Sequence, residues 1–397
     1  MNGSRQDFDT TRPCDVSIVP CDSYAPEAVR AALDACLKPL GGLDWVKPGM
    51  RIALKANLVT RLKPEAAATT HPEVLAALTE LLIARGASVV VGDSPGGLFN
   101  AAFLNAIYDG TGMRRVEKSG AELNHDFEQR TARFPEAVVA KEFQYTAWLG
   151  KADAIIDVCK LKTHGMMGMS AAAKNMFGAV SGTIKPEYHF KYPNEDDFAR
   201  MLLDIDAYFP IRLCLVDAVV GMEGNGPSMG KPRKIGALLA GVSPHAVDLA
   251  CARLIGIEPR DVPTLRAARE QGLIPETLAE LNISGPLDAL CVPDFDLIQA
   301  RKSTLFDDSF GGPFGKLIGS FIRTAMGGVP AVARAECVHC AHCANVCPAD
   351  AIAMKKGLPV IDRKKCIRCF CCQEFCPRGA MKVRRAFIAR ALNRAAK

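Results

Sequence analysis

Short apolar runs alternate with amphipathic stretches up to about residue 300. Asp15–Pro20, Arg51–Lys55, Ser88–Gly92, Ala154–Val158, Leu213–Asp217 and Ile235–Ala240 read as strands. Several are almost wholly apolar, as parallel strands covered on both faces are. Between them, Ala25–Leu37, Pro72–Arg85, Ser170–Val180, Asp196–Tyr208, Pro244–Ile255 and Val262–Gln271 read as helices. The alternation predicts an α/β fold with a mainly parallel sheet covered by helices, its strand order left open.

The pattern then changes. Phe314, Leu317, Ile318, Phe321 and Ile322 share one helical face between two glycine-rich breaks. They predict a connecting helix over 311–330. A membrane-surface helix is the alternative, disfavoured because Lys316 and Arg323 are too few cations for one. After Arg334 comes an internal repeat: residues 336–348 align with 365–377, and 351–352 with 380–381. The expected division is an α/β domain over 1–310, the connecting helix, a small ferredoxin-like α+β domain over 331–385, and a basic tail over 386–397.

Composition adds cysteine. Sixteen occur, seven before residue 337 and nine between Cys337 and Cys376. Met1–Pro13 is polar and lacks the apolar core of a signal peptide. No run approaches the roughly 18 unbroken apolar residues of a membrane span. A reduced, cytoplasmic protein whose clustered cysteines bind metal is expected. Each repeat reads C-x2-C-x2-C-x3-C-P, the two-cluster ferredoxin run whose fourth cysteine ligates the other cluster. One [4Fe-4S] cluster is therefore assigned to Cys337, Cys340, Cys343 and Cys376, the other to Cys366, Cys369, Cys372 and Cys347. Structural zinc is the weaker reading, because zinc sites show paired C-x2-C knuckles rather than triplets. Cys371 aligns with His342 and reads as an unligated thiol. His339 and His342 read as exposed loop residues or as hydrogen-bond donors to the cluster. The formal charge is +6. Two clusters, each about −2 with its thiolates, bring it close to neutral, so global charge selects no partner.

Three stretches of the large domain look chemical. Lys160-Leu-Lys-Thr-His164 follows an apolar strand, where sites of open α/β sheets form, and Lys174-Asn175 follows on a helix. Lys160, Lys162, His164, Lys174 and Asn175 together suggest an anion site. Met166, Met167, Met169 and Met176 read as core rather than as a soft-metal site. The loop 217–232 is glycine-rich but is neither a P-loop, since Pro232 follows Gly-Lys, nor a dinucleotide fingerprint. Its Glu223 and Asn225 either face a ligand or sit in a plain connection. Gly92-Asp93-Ser94 caps a helix or forms another rim of the crevice.

On these residues the chain resembles the family called domain of unknown function 362, in the subgroup with a C-terminal two-cluster ferredoxin domain. The resemblance rests on Lys55-Ala-Asn57, Gly92-Asp-Ser94, Lys160–His164 with Lys174–Gly178, Gly221–Pro227, and Ala246–Ala250 leading into Leu254-Ile-Gly256. It implies an α/β fold and anaerobic redox metabolism, and it assigns no catalytic roles. Lys55, Asn57, Asp93, Ser94, Glu223 and Asn225 are carried forward as candidate cofactor-binding residues.

The expected function is an iron–sulfur oxidoreductase. It would relay single electrons from a ferredoxin- or flavodoxin-type donor to an anionic small molecule in the crevice. A carrier or maturation scaffold and a non-redox enzyme with structural clusters are the alternatives. No flavin or nicotinamide motif is present, which leaves a bound flavin open. The tail, with Arg378, Lys382, Arg384 and four later cations, is expected to steer an acidic donor to the second cluster. It offers no aromatic series on which nucleic-acid bases could stack.

Overall fold

The computed structural model describes residues 14–297 and 329–384. Residues 311–328 of the helix expected over 311–330, and the tail over 386–397, lie outside these residues, while Val329 and Pro330 are in a strand rather than a helix.

The large domain is built on one mixed sheet. Its strands are β1 (Val16–Pro20), β2 (Arg51–Lys55), β3 (Ser88–Gly92), β4 (Glu122–Leu123), β7 (Ala154–His164), β8 (Gly168–Ser170), β9 (Ile211–Glu223), β10 (Lys231–Gly241) and β11 (Ile283–Ser284). A separate hairpin pairs β5 (Gln129–Arg133) with β6 (Glu142–Thr146). The order is β11-β1-β10-β9-β7-β2-β3-β4, with β8 folded back on β7. The run from β9 to β4 is parallel, while β10 pairs antiparallel with both β1 and β9. The expected mainly parallel α/β sheet is therefore present.

Helices cover both faces. On one, α1 (Pro26–Leu37) and α2 (Pro72–Ile83) bury Leu33, Leu75 and Leu78 against Ile52, Leu54 and Ile156 of the sheet. The other face takes α8 (Glu195–Tyr208), α9 (Pro244–Ile255) and α10 (Pro263–Glu270), which pack Phe198, Leu202, Val247 and Leu265 with Ala53 and Ile155. The starts of α8 and α9 are capped by side chains, Asn194 accepting from Asp197 N–H and Ser243 from Ala246 N–H. Gly256 ends α9 at φ +70°, a left-handed conformation that favours glycine.

Two deviations from the sequence pattern matter for function. Strand β7 continues past Val158 to His164, and all eleven residues are buried. Lysines interrupt the apolar run there, but partners in the crevice allow them to be buried. The helix expected over Ser170–Val180 shrinks to α6 (Ala172–Asn175) and a short 3-10 turn through Ala179. Three more helices precede α6, namely α3 (Ala101–Gly110), α4 (Arg115–Lys118) and α5 (Ala147–Gly150). After it comes α7 (Lys185–Lys191), which the pattern does not announce.

The small domain is a pair of hairpin-like sheets. Strands β12 (Val329–Val332) and β15 (Met381–Arg384) pair antiparallel, as do β13 (Ile352–Lys355) and β14 (Leu358–Ile361). One short helix carries the third cysteine of each triplet, α11 (His342–Asn345) and α12 (Cys371–Glu374). Among the described residues, no helix is long and apolar enough to cross a membrane.

Candidate functional site

The repeat folds as two superimposable loops. His339 and Arg368 take φ +62° and +58°, and Ala341 and Phe370 take +58° and +61°. Non-glycine residues rarely adopt this region, so its recurrence at matched positions marks one shared loop geometry. Cys337, Cys340, Cys343 and Cys376 line one cavity, and Cys347, Cys366, Cys369 and Cys372 line a second, together with the ninth cysteine of the repeat, Cys371. Thus three cysteines of each loop meet the fourth of the other. The two crossing thiols are also matched: Ala351 N–H donates to Cys347 Sγ and Ala380 N–H to Cys376 Sγ, both at 3.2 Å. Four thiols around the first cavity and five around the second, with a backbone donor on each crossing sulfur, give donor sets that fit iron–sulfur clusters.

The two loops differ in what surrounds them. The first faces outward, with Val338, His339 and Cys340 exposed. The second is covered, with Phe370, Cys371, Cys372 and Gln373 buried. The cover is the large domain. Gln373 Nε2 donates to Asn225 Oδ1 at 3.0 Å and to the Gly226 carbonyl at 3.1 Å. Phe375 lies on Gly96, where a Cβ would collide with its ring. At Gly165 a Cβ would come within 3.0 Å of Gln373 Oε1. The three glycine-bearing stretches singled out in the sequence therefore converge beneath α12 and the residues beside it.

Under that contact lie the ends of β2, β3 and β7. Five buried lysines gather there, three on these strands, one on α6 and one on α7, and they fall into two kinds. Lys55 pairs with Asp93 at 2.8 Å, and Lys160 with Asp217 at 2.6 Å. Both pairs are fixed further. Asp93 accepts from Leu58 and Ser94 N–H. Asp217 accepts from Tyr24 Oη–H and His71 N–H. Lys160 also donates to Tyr24 Oη at 2.9 Å, and the Tyr24 ring stacks on His71 at 3.6 Å. Burial pushes the Tyr24 hydroxyl up and His71 down to about 4, so both stay neutral near pH 7.

Lys162, Lys174 and Lys185 are the second kind. Among the described residues, none has a carboxylate within ion-pair distance. Lys162 donates to Asn57 Oδ1 and the Ala68 carbonyl, each at 2.7 Å. Lys185 donates to the Ser94 carbonyl. Lys174 lies over the Phe177 ring at 5.3 Å, and Lys185 lies over the same ring at 5.4 Å. Burial lowers all three, Lys162 to about 7 and Lys185 to about 8. The charge that opposes this for each includes Glu374 of α12, the residue after Gln373. Lys174 also feels Cys371, which is fully buried.

Asn175 ties the lattice together. Its Oδ1 accepts from Asn57 Nδ2 at 2.7 Å and from Lys55, and its Nδ2 donates to Asp157. Burial raises Asp157 to about 8. Asp248 of α9 accepts from the N–H groups of Ala172 and Ala173 and so holds the start of α6. Gly178 is required here, because a Cβ would strike Asp93 and the Lys55 ammonium. His164 Nδ1 accepts from Met166 and Met167 N–H, both at 3.2 Å. Its proton therefore sits on Nε2, which is buried and has no partner among the described residues. Burial, with Lys174 and Lys162 nearby, keeps the ring neutral. His189 of α7 is a second buried neutral imidazole, lowered to about 3 and stacked on Phe198.

The structure thus gathers Lys55, Asn57, Asp93, Ser94, Lys160, Lys162, His164, Lys174 and Asn175 at one end of the sheet. Glu223 lies apart and accepts from Asp296 N–H at 3.0 Å. Asn225 meets Gln373 rather than the lysines. Lys185, His189, Tyr24 and Asp217 are additions that the sequence reading did not contain. Met166, Met167, Met169 and Met176 are core residues, as expected.

Residues 52–253 match the family model described as domain of unknown function (DUF362), and residues 330–377 match a 4Fe-4S dicluster domain. The chain belongs to the domain of unknown function 362 family and carries a C-terminal iron–sulfur domain. It is 32% identical over 309 residues to a thylakoid-associated protein of Synechocystis, covering 73% of this chain and 92% of that one. Among solved structures it is similar to the lactate racemase apoprotein of Thermoanaerobacterium thermosaccharolyticum, with 14% identity and a TM-score of 0.40. That match covers 63% of this chain and 59% of the racemase. A Thermotoga maritima protein matches at 14% identity and a TM-score of 0.34, covering 55% of this chain and 56% of its own.

Proposed function

We propose that the protein is an iron–sulfur oxidoreductase that delivers electrons to an anionic small molecule held by Lys162, Lys174 and Lys185. Cys337, Cys340, Cys343 and Cys376 would hold one [4Fe-4S] cluster, and Cys347, Cys366, Cys369 and Cys372 the other. Such clusters supply single-electron transfer. The observation that carries the reading is the set of three buried lysines without a carboxylate partner, directly under the covered half of the repeat. Burying uncompensated cations is costly, and an anionic ligand offsets that cost. Asn57 and the Ser94 carbonyl aim Lys162 and Lys185, while His164 offers an Nε2–H donor. The docked α12 excludes water, which strengthens each of these interactions. The paired Lys55 and Lys160 position the frame rather than bind.

The test is anaerobic purification followed by iron and sulfide analysis and native mass spectrometry of co-purifying small molecules. The reading expects about eight iron atoms per chain from two four-iron clusters. It also expects an anionic ligand that is lost in Lys162→Met and Lys174→Met. If a protein partner co-purifies and no small molecule is bound or turned over, a carrier or maturation scaffold replaces this reading.

A further inference from the structure

The small domain is unevenly charged. Between residues 329 and 384 there are ten Lys/Arg and four Asp/Glu. Two of the four acids are engaged elsewhere. Glu336 pairs with Lys382 at 2.8 Å, and Glu374 acts on the buried lysines of the large domain. Four of the ten cations, Lys356, Arg378, Arg334 and Arg363, border the open half of the repeat. Val338, 54% exposed, and Arg378 line the same cavity as the first cysteine quartet. The turn at Lys356-Gly357 lies against the exposed His339, with the Gly357 Cβ position 2.8 Å from its Nδ1. An adjoining groove, which shares Val332 and Pro359 with that cavity, is lined by Arg334 and Arg363. No Asp or Glu is among the lining residues of either.

We infer that this rim is the docking surface of an acidic electron-carrier protein. An exposed valine beside a surface cysteine provides a small apolar centre, and Lys356, Arg378, Arg334 and Arg363 surround it with positive charge. That combination suits a weak, fast encounter steered by charge rather than a large obligate interface. The carrier is oxidised by one electron and this protein is reduced by one. The inference rests on the redox reading proposed above. It places electron arrival at the first quartet, because the second is covered by the large domain.

The experiment uses oxygen-free holoprotein and reduced flavodoxin as the acidic probe, with stopped-flow bleaching of the visible iron–sulfur absorbance. In the double variant Lys356→Glu/Arg378→Glu the rate at low salt should fall at least about ten-fold, and the difference should close as salt rises. The matched reversal Lys231→Glu/Lys234→Glu, at exposed lysines of the large domain, should change it less than about two-fold, within weak long-range screening. Dithionite, a small reductant, should bleach all of them equally. If the double variant loses iron, the neutral pair Lys356→Gln/Arg378→Gln takes its place, with a smaller loss in the same direction. Equal flavodoxin rates for parent and rim variant at low salt would overturn the inference while leaving the redox reading standing. Failure of dithionite to bleach the parent would remove the redox reading, and this inference with it.

Discussion

The two halves of the cysteine repeat have the same spacing, the same left-handed loop positions and the same backbone donor on the crossing sulfur. They differ at eight aligned positions, and four of these carry the docking. Where the first half has Ala341, Ala344, Asn345 and Val346, the second has Phe370, Gln373, Glu374 and Phe375. Those substitutions convert an open loop into a docked one. Phe375 fills the space over Gly96, Gln373 bonds the 225–226 backbone, and Glu374 brings a negative charge to three buried lysines. The repeat gives two like cysteine sites, and the side chains around them make them inequivalent. The consequence is directional: one site faces solvent and the other faces the crevice.

The strongest way to break this comparison is to remove the ligands that link the halves. Cys376→Ala should empty the first quartet although Cys376 lies in the second repeat, and Cys347→Ala should empty the second. Each single variant should retain about four iron atoms, one cluster's worth, and the double variant none that is stable. The readouts are iron analysis and electron paramagnetic resonance of the reduced protein. If Cys376→Ala perturbs the second quartet and spares the first, the crossed assignment is wrong.

What the covered half covers can be tested next, on the two kinds of lysine. Lys160→Met strands Asp217 in the interior and should destabilise by about 3–5 kcal/mol, as breaking a buried pair does. Lys174→Met removes a cation that has no carboxylate partner. It should be neutral or stabilising in denaturant unfolding, while abolishing binding of the anionic ligand. If both substitutions destabilise equally, Lys174 has a structural partner and the anion site loses its main support.

The docking contacts themselves are worth less. Gln373→Ala leaves the Asn225 side chain and the Gly226 carbonyl without their donor and should cost about 1–3 kcal/mol. The mirror change in the open half, Ala344→Gln, should stay within about 0.5 kcal/mol, as surface substitutions do. Thermal melts of the four combinations measure this. Equal effects in both halves would mean that the asymmetry is only apparent.

Much of this was legible in the sequence. The repeat fixes the cysteine quartets through spacing alone, and alternating apolar runs mark the six central strands. Lys160, Lys162, His164, Lys174 and Asn175 read as one site because they follow a strand and open a helix. Lys185 and His189 did not, because α7 is short and polar in sequence and reaches the crevice only through tertiary packing on Phe177 and Phe198. The pairing of Lys160 with Asp217 was hidden too, since neighbouring strands place residues 57 positions apart side by side. The docked half had a readable signal that went unused. Aligning the repeats exposes Phe370 and Phe375 opposite Ala341 and Val346, and bulky apolar residues beside a cluster loop need a surface to cover them.

The last effect concerns pH and the wall of the covered crevice. His189 is buried, and burial lowers it from about the ordinary 6.5 to about 3. The native state therefore binds fewer protons than the unfolded chain between those values. Stability should then fall as pH drops through that window, by up to about 1.4 kcal/mol per pH unit for a fully excluded proton. His164 and His71, both lowered by burial, add slopes of the same sign. Asp157, raised to about 8, opposes them, because it takes up its proton more readily in the native state as pH falls toward 4. Replacing His189 with Phe keeps the stack on Phe198, 4.4 Å between centroids, and deletes the titration. The variant should lose less stability than the parent between pH 6.5 and 4, with little change at pH 8, in urea midpoints taken across that range. A parent and variant with the same slope would mean that His189 takes up its proton as readily in the folded protein as in the unfolded chain, and that water reaches the crevice wall formed by α7 and α8.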